Sequence, residues 1–132
     1  MSAAGQSASS SSTPKPGLRR ILVVDDERDL ADLAAALLCA HGLEARVAYG
    51  AADALSVLEH DPGIEAVFTD IMMPGMNGLQ LAEAIHRFYP SIRILMTTGF
   101  TMPELMACHG MSYPCISKPY RIETVLAQLS SR

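Results

Sequence analysis

Short apolar runs alternate with segments of helical period along most of this chain. The runs occupy residues 20–24, 44–48, 65–69, 92–97 and 113–117. The segments between them repeat apolar residues at helical spacing, and the clearest set is Leu30, Leu33, Ala34, Leu37 and Leu38. Five strands that alternate with five helices predict an α/β fold, a doubly wound five-stranded parallel sheet with helices on both faces.

The composition of the runs predicts the order of the strands. The second run alternates polar and apolar residues, which suits an edge strand, and the fifth contains Pro114, which lacks a donor for a central ladder. The order 2-1-3-4-5 places both at edges. In that order the topological switch point of the sheet lies between strands 1 and 3. Ligands of such sheets bind beyond the carboxyl ends of the strands at the switch point.

Three aspartates stand at these strand ends. Asp25 and Asp26 close the first run, Asp70 closes the third, and Lys118 follows the fifth. Two unit charges about 4 Å apart repel by about 4 kcal/mol at an effective dielectric of 20. We therefore expect a counter-charge, typically a hard divalent cation. An alternative for Asp26 is a helix N-cap, with Asp29 in a box-like position.

The first 17 residues differ from the rest of the chain. They are rich in Ser, Ala and Pro and carry almost no bulky apolar side chains, so residues 1–17 are predicted to be a disordered tail. The remaining residues, 18–132, are enough for one domain, and the chain is 49% hydrophobic, which can fill a core.

Charge and cysteine content narrow the cellular setting. A net charge of −4 opposes binding to nucleic acid and to anionic membranes. No apolar run approaches the roughly 20 residues that span a bilayer. Cys39, Cys108 and Cys115 are scattered along the chain and predict no disulfide framework, which favours a reducing, cytoplasmic location.

Four motifs, in this order, resemble the receiver domain of bacterial two-component response regulators. They are Val23-Val24-Asp25-Asp26, the segment from Asp70 to Gly78, Thr97-Thr98-Gly99 and Ser117-Lys118-Pro119. Each motif is weak alone, but each stands at the end of a predicted strand. The resemblance covers about residues 19–131 and implies a flavodoxin-like (CheY-like) fold.

By this resemblance, Asp70 is the phosphoacceptor. A carboxylate can attack the phosphorus of a phosphohistidine in line and form an acyl phosphate. The resemblance also implies that Asp26 and Asp70 bind Mg²⁺ directly, that Asp25 acts through water, and that the main-chain carbonyl of Met72 supplies a further oxygen. Mn²⁺ is the alternative metal.

Thr98 and Lys118 match the family residues that bind the phosphoryl group. Thr98 supplies the switch hydroxyl, with Thr97 as the neighbouring alternative, because strand alternation lets only one of the two face the site. By resemblance, Lys118 pairs with Asp70 before and after phosphorylation. The Lys118–Pro119 bond is expected to be cis.

Two departures from the family pattern concern the surface that binds partners. Cys115 replaces the aromatic residue that usually swings inward on activation. Tyr113, on the same strand face, could substitute for it. Cys115 itself is interpreted as a packing residue, since Cys behaves as a small hydrophobic side chain. The fourth helix is expected to be short, at about 103–109. The face of helix 4, strand 5 and helix 5 is the family's usual docking surface, so we expect partner choice to change more than phosphorylation.

Together these features predict a phosphorylation-dependent signalling switch and not an enzyme. A histidine kinase or histidine phosphotransfer protein would donate the phosphoryl group, and a downstream protein would bind the altered face. Met72 and Phe100 offer no base to orient water, so self-dephosphorylation should be slow. Met72 also stands two residues after Asp70, where hydrolases that use an Asp nucleophile commonly carry a second Asp as the acid/base. The alternatives are a receiver excised from a hybrid histidine kinase and a receiver-like module that binds without phosphorylation.

Overall fold

Strands and helices alternate through the computed structural model, which describes residues 18–98 and 113–130. These residues form β1 Arg20–Val24, α1 Arg28–Ala40, β2 Glu44–Ala48, α2 Ala51–His60, β3 Ala66–Asp70, α3 Gly78–Phe88, β4 Arg93–Thr98, β5 Cys115–Ser117 and α4 Ile122–Ser130. The predicted tail at residues 1–17 and the predicted short helix at about 103–109 lie outside the described residues. The last predicted helix is therefore α4 here.

All five of these strands pair in parallel, in the order β2-β1-β3-β4-β5. The predicted order 2-1-3-4-5 is confirmed, and so are both predicted edges. Strands β1 and β3 are neighbours, and their register pairs Val24 with Thr69. The next residues along the two strands, Asp25 and Asp70, therefore emerge side by side at the carboxyl end of the sheet.

The sheet separates two layers of buried side chains, because successive residues of a strand point to opposite faces. Val67 and Met96 belong to the layer that packs under α2 and α3, which we call the α2/α3 face. Phe68 and Leu95 belong to the layer under α1 and α4, the α1/α4 face. Helices cover both faces, as a doubly wound sheet requires.

Helix α1 presents only part of its apolar surface to the core. The buried stripe consists of Ala31, Ala34, Ala35 and Leu38. Leu30, Leu33 and Leu37 are 37%, 56% and 40% exposed. These three leucines belong to the apolar set at helical spacing, but they do not pack into the core. Two apolar stripes lie side by side on this helix, and the one with the smaller side chains packs against the sheet.

The ends of the later elements follow from local chemistry. Asn77 Oδ1 accepts from the Gln80 N–H at 2.9 Å and Gln80 Oε1 accepts from the Asn77 N–H at 2.9 Å, so a capping box starts α3. Strand β5 is shorter than the predicted 113–117, because Pro114 has no N–H to donate. Within the described ranges, no helix has the length and apolar character to cross a membrane.

An ion-pair network ties together the opposite end of the sheet. Asp61 follows α2, is 8% exposed, and lies 2.8 Å from an Arg20 nitrogen and 3.1 Å from an Arg46 nitrogen. Two guanidinium groups thus compensate one buried carboxylate, which makes its burial tolerable. This acidic residue has a structural role, distinct from the aspartates at the carboxyl end.

Candidate functional site

Three carboxylates converge where β1 and β3 end. Asp25 and Asp26 directly follow β1, and Asp70 is the last residue of β3. One carboxylate oxygen from each lies within 4.8 Å of the others. Asp25 and Asp70 are buried and Asp26 is exposed. The strand order thus brings together the aspartates that the sequence places at separate strand ends.

Main-chain donors hold the two buried carboxylates in place. The Glu27 N–H donates to Asp25 Oδ1 at 3.0 Å, and the Met72 N–H donates to Asp70 Oδ1 at 3.3 Å. Each donor lies two residues after the aspartate that it contacts, so the local turn fixes the orientation of the side chain. Both carboxylates are therefore positioned before any ligand arrives.

Asp26 does not cap the first helix. The N-cap of α1 is Glu27, and no side chain makes a capping hydrogen bond there. The N-cap alternative for Asp26 was therefore wrong. Because the chain enters α1 one residue later than a cap at Asp26 requires, its exposed carboxylate remains available to the cluster.

Lys118 lies opposite the carboxylates. Its Nζ is 3.3 Å from Asp25 Oδ2 and 3.4 Å from Asp70 Oδ2. Burial lowers the pKa of Lys118, but the charges of Asp70 and Asp25 outweigh burial and hold that pKa above its ordinary value. The Lys118–Pro119 peptide bond is cis, as expected. The ammonium group therefore stays charged and offsets part of the negative charge.

The remaining charge imbalance favours a bound cation. Burial raises the pKa of Asp70, Lys118 lowers it, and Asp25 raises it again, so the net effect is a pKa above the ordinary value. Three carboxylates facing one ammonium leave an excess of negative charge. Carboxylate oxygens are the ligands that Mg²⁺ prefers. The donor set of Asp25, Asp26 and Asp70 therefore fits a hard divalent cation.

Gly78 is a site residue that sequence reasoning missed. A Cβ at this position would collide with the main-chain carbonyl oxygen of Asp70 and with Cα of Ile71. The Gly78 N–H donates to the Ile71 carbonyl at 2.9 Å. The glycine therefore closes the β3–α3 loop directly against Asp70. Gly78 ends the sequence motif that begins at Asp70, but that motif gave the glycine no role in the site.

Tyr120 was also missed, although an aromatic ring two residues after Lys118 could have drawn attention. Its ring packs edge to face on Phe68, with the ring centres 5.0 Å apart. Burial and the charge of Asp25 raise the pKa of the Tyr120 hydroxyl, while Lys118 lowers it. Tyr120 therefore lies close enough to sense the charges of the site, with its ring anchored in the core.

Both threonines at the end of β4 adjoin the site. Thr98 is fully buried, and its carbonyl accepts the main-chain N–H of Lys118 at 2.7 Å. Thr97 is 2% exposed and pairs in register with Asp70. Thr98 is thus linked to the site through the Lys118 main chain, and Thr97 through its neighbour on β3.

This arrangement matches a known protein family. The family profile described as response regulator receiver domain matches residues 21–130. The chain belongs to this family. Receiver domains take part in two-component signalling, accept phosphoryl groups as a family and bind Mg²⁺ at an acidic pocket. This receiver domain carries such an acidic cluster in Asp25, Asp26 and Asp70.

Individual relatives support the same assignment. A putative NtrX-like response regulator of Rickettsia bellii is 32% identical over 113 residues, which are 83% of this chain and 23% of the relative. The transcriptional regulatory protein CpxR of Escherichia coli K12 is 27% identical over 113 residues, 85% of this chain and 48% of the relative. The receiver domain thus spans between about a quarter and a half of these curated relatives.

Solved structures show the same fold. A CheY-like receiver domain protein from Methanospirillum hungatei JF-1 superposes with a TM-score of 0.75 at 28% identity, over 86% of this chain and 92% of that one. The receiver domain of the hybrid histidine kinase CckA gives a TM-score of 0.70 at 26% identity, over 85% of this chain and 96% of that one. Both comparisons cover at least 85% of this chain.

Cys115 is the residue expected from the sequence to replace the family's aromatic residue. This residue begins β5 and packs with Tyr113 against the α2/α3 face. The Tyr113 ring lies 6.3 Å from the His86 ring, edge to face, so it is directed at α3. Cys115 is disulfide-bonded, whereas Cys39 is a free, exposed thiol. The sequence predicted no disulfide framework, and a single bond at Cys115 was not foreseen, because the spacing of the cysteines does not reveal it.

Proposed function

We propose that this receiver domain takes a phosphoryl group from a histidine kinase or histidine phosphotransfer protein onto Asp70. The supporting observation is the convergence of Asp25, Asp26 and Asp70 within 4.8 Å, with Lys118 in contact with two of them. The three carboxylates and the main-chain carbonyl of Met72 would hold Mg²⁺, or Mn²⁺ in its place. When bound, the metal would supply positive charge to the phosphoryl oxygens.

The transfer moves a phosphoryl group between two nucleophiles. A carboxylate oxygen of Asp70 attacks the phosphorus of an N-phosphohistidine whose other ring nitrogen is protonated. An O–P bond forms as the P–N bond breaks, and its electron pair stays on the ring nitrogen. The products are an acyl phosphate on Asp70 and a neutral histidine. The Lys118 ammonium is placed to follow the charge from the carboxylate to a phosphoryl oxygen.

The signal would leave the site through Lys118 and Thr98. Their main chains share the hydrogen bond of 2.7 Å between the Lys118 N–H and the Thr98 carbonyl. We assign the Thr98 hydroxyl to a phosphoryl oxygen, so that both residues shift when Asp70 is modified. Strand β5 and helix α4 flank Lys118 along the chain. They would form the surface for a downstream protein, together with the predicted helix at about 103–109.

The donor protein would dock beside the site, on the exposed leucines of α1. Leu30, Leu33 and Leu37 line a groove of about 470 Å³ together with Lys118 and Tyr120. Because Lys118 itself forms part of the wall, a protein seated there would bring its phosphohistidine to the carboxylates. Burial of these leucines would contribute to affinity through the hydrophobic effect.

The acyl phosphate should persist once formed. Met72 is 44% exposed beside Asp70 and offers no base to a water molecule. Phe100, the second apolar residue expected in this role, lies outside the described residues. We therefore propose slow self-dephosphorylation, consistent with a phosphoacceptor and not a hydrolase.

Phosphorylation by a small donor tests this function directly. Incubation with acetyl phosphate and Mg²⁺ should add the mass of one phosphoryl group to the intact protein. Asp70→Asn should abolish the gain, whereas Asp29→Asn, on an exposed aspartate of α1 outside the cluster, should retain it. A mass gain that survives in Asp70→Asn would contradict the assignment. Absence of any gain in the unmodified protein would favour a module that binds without phosphorylation.

A further inference from the structure

The hydroxyl of Thr97 is buried without a hydrogen-bond partner among the described residues. Thr97 is 2% exposed, and its Oγ1 finds neither a donor nor an acceptor there. Buried polar atoms are nearly always paired, and an unpaired one lowers stability. Valine has the same shape and would avoid this loss. The unpaired hydroxyl therefore calls for an acceptor that arrives in another state of the protein.

The sheet register places this hydroxyl beside Asp70. Thr97 pairs with Asp70 on β3 and with Ile116 on β5. Paired residues of parallel strands point to the same face, on strands about 4.8 Å apart. Leu95 and Phe68, two residues before Thr97 and Asp70, both lie on the α1/α4 face. The side chains of Thr97 and Asp70 therefore leave the sheet on that same face, as neighbours.

The acceptors of the resting site are already engaged by other groups. Asp70 Oδ1 accepts from the Met72 N–H, and Asp70 Oδ2 faces the Lys118 ammonium. Under the proposed function, phosphorylation would change both conditions. It would add phosphoryl oxygens to Asp70 and draw Lys118 from the carboxyl group toward the new charge. An oxygen of the modified side chain then becomes available to a donor on the same face.

We propose that Thr97 is a second hydroxyl donor of this site, unpaired at rest and bonded to an oxygen of the Asp70 acyl phosphate after transfer. This inference rests on the proposed function. It gives both threonines a role, in place of the expectation that strand alternation admits only one of them to the site. Thr98 is joined to Lys118 through the main chain, whereas Thr97 contacts the modified Asp70 from the neighbouring strand. Its hydrogen bond forms only in the phosphorylated state and therefore stabilises that state selectively.

Beryllofluoride, a stable analogue of the phosphoryl group on aspartate, allows a direct test. The apparent affinity for beryllofluoride is measured in the presence of Mg²⁺ for the unmodified protein, Thr97→Val and Thr97→Ser. The melting temperature of each is measured with Mg²⁺, with and without the analogue. Without the analogue, Thr97→Val should melt at the same temperature or higher. With it, the affinity of Thr97→Val should be about tenfold weaker, because a hydrogen bond to a charged acceptor is lost. Thr97→Ser should restore it to within about twofold.

A matched control removes a hydroxyl that is already paired. Thr69 is fully buried on β3, and its Oγ1 donates to the Asp70 carbonyl at 3.0 Å. Thr69→Val should lower the melting temperature equally with and without the analogue. The inference is overturned if Thr97→Val binds beryllofluoride as tightly as the unmodified protein, or if it melts lower without the analogue. If the unmodified protein itself neither binds the analogue nor gains a phosphoryl group, the proposed function fails instead.

Discussion

At the scale of single residues, Asp70 is held between opposing electrostatic influences. Burial and Asp25 raise its pKa, whereas Lys118 lowers it, and the net pKa lies above the ordinary value. An acid with a raised folded pKa contributes stability that is fully present below its unfolded pKa. That contribution is lost as the pH rises through the folded pKa. The ionised Asp70 therefore opposes folding at neutral pH when no metal is bound.

Replacing Asp70 with Asn should stabilise the metal-free protein at neutral pH. We expect a gain on the order of 1 kcal/mol, because carboxylate repulsion of about 4 kcal/mol at 4 Å and a dielectric of 20 is partly offset by Lys118. The gain should shrink as the pH falls, since Asp70 then becomes protonated in the parent protein. Urea unfolding in EDTA, at a series of pH values from neutral to acid, measures this gain in the free energy of unfolding. An equal gain in Asp29→Asn, or one that grows in acid, would contradict the explanation.

Gly78 should tolerate no side chain, because a methyl group would meet main-chain atoms that cannot move aside. Gly78→Ala is expected to lower the free energy of unfolding by about 1–3 kcal/mol and to slow phosphorylation of Asp70. Gly50→Ala is the matched control. Gly50 has an extended φ of −178°, and a methyl group added there would meet no atom within 4 Å. Equal losses in both variants would show that the close contact with Asp70 does not matter.

At the scale of elements, helix α1 carries two apolar stripes with different roles, one in the core and one on the proposed recognition surface. Its alanines pack against the sheet, while Leu33 remains 56% exposed on the adjacent stripe. A leucine at that exposure contributes little to the stability of the isolated domain. It gains its hydrophobic contribution when another surface covers it.

Leu33→Glu should therefore slow phosphoryl transfer from a protein donor and leave the rate of phosphorylation by acetyl phosphate unchanged. We expect a loss of about tenfold or more with the protein donor, because a buried leucine contributes about 1.5–3 kcal/mol. Phe88→Glu provides the control, since Phe88 is 68% exposed on α3, away from the groove. Phosphotransfer rates with both donors measure the effect. Equal losses with acetyl phosphate would indicate a damaged site instead of a lost docking contact.

At the scale of the whole molecule, the metal should be coupled to folding. Asp25 and Asp70 come from distant parts of the chain and meet only in the folded sheet. Mg²⁺ at about one hundred times its Kd should raise the free energy of unfolding by about 2.7 kcal/mol. Thermal unfolding with MgCl₂, against NaCl of equal ionic strength, measures the shift. Asp26→Asn should reduce it, and an identical shift with NaCl would rule out a specific site.

The overall fold could be predicted because each edge strand is marked in the sequence. Alternating polarity identifies β2, and Pro114 identifies the start of β5. With the edges placed, the meeting of Asp25 and Asp70 follows from topology. The buried stripe of α1 could not be predicted, because its alanine and leucine stripes share one period. Only the distance to the sheet decides which stripe packs inside.

The carboxylates and Lys118 could be placed by position, since each follows a strand end. Gly78 could not, because its close approach to Asp70 depends on the path of the loop between them. The roles of Thr97 and Thr98 depend on strand register, which neighbouring β-branched residues do not reveal. Register, loop path and packing distance are tertiary properties, and they account for what could not be predicted.

Among the residues that the structure describes, strand β5 pairs on one side only and over just three residues, Cys115–Ser117. Few backbone hydrogen bonds must break to release it, whereas β1 and β3 are each paired with a strand on both sides. Its amide hydrogens should accordingly exchange with heavy water before those of the central strands. Lys118 directly follows this strand. A displacement of its ammonium group is therefore transmitted to the edge strand that separates from the sheet at the lowest free-energy cost.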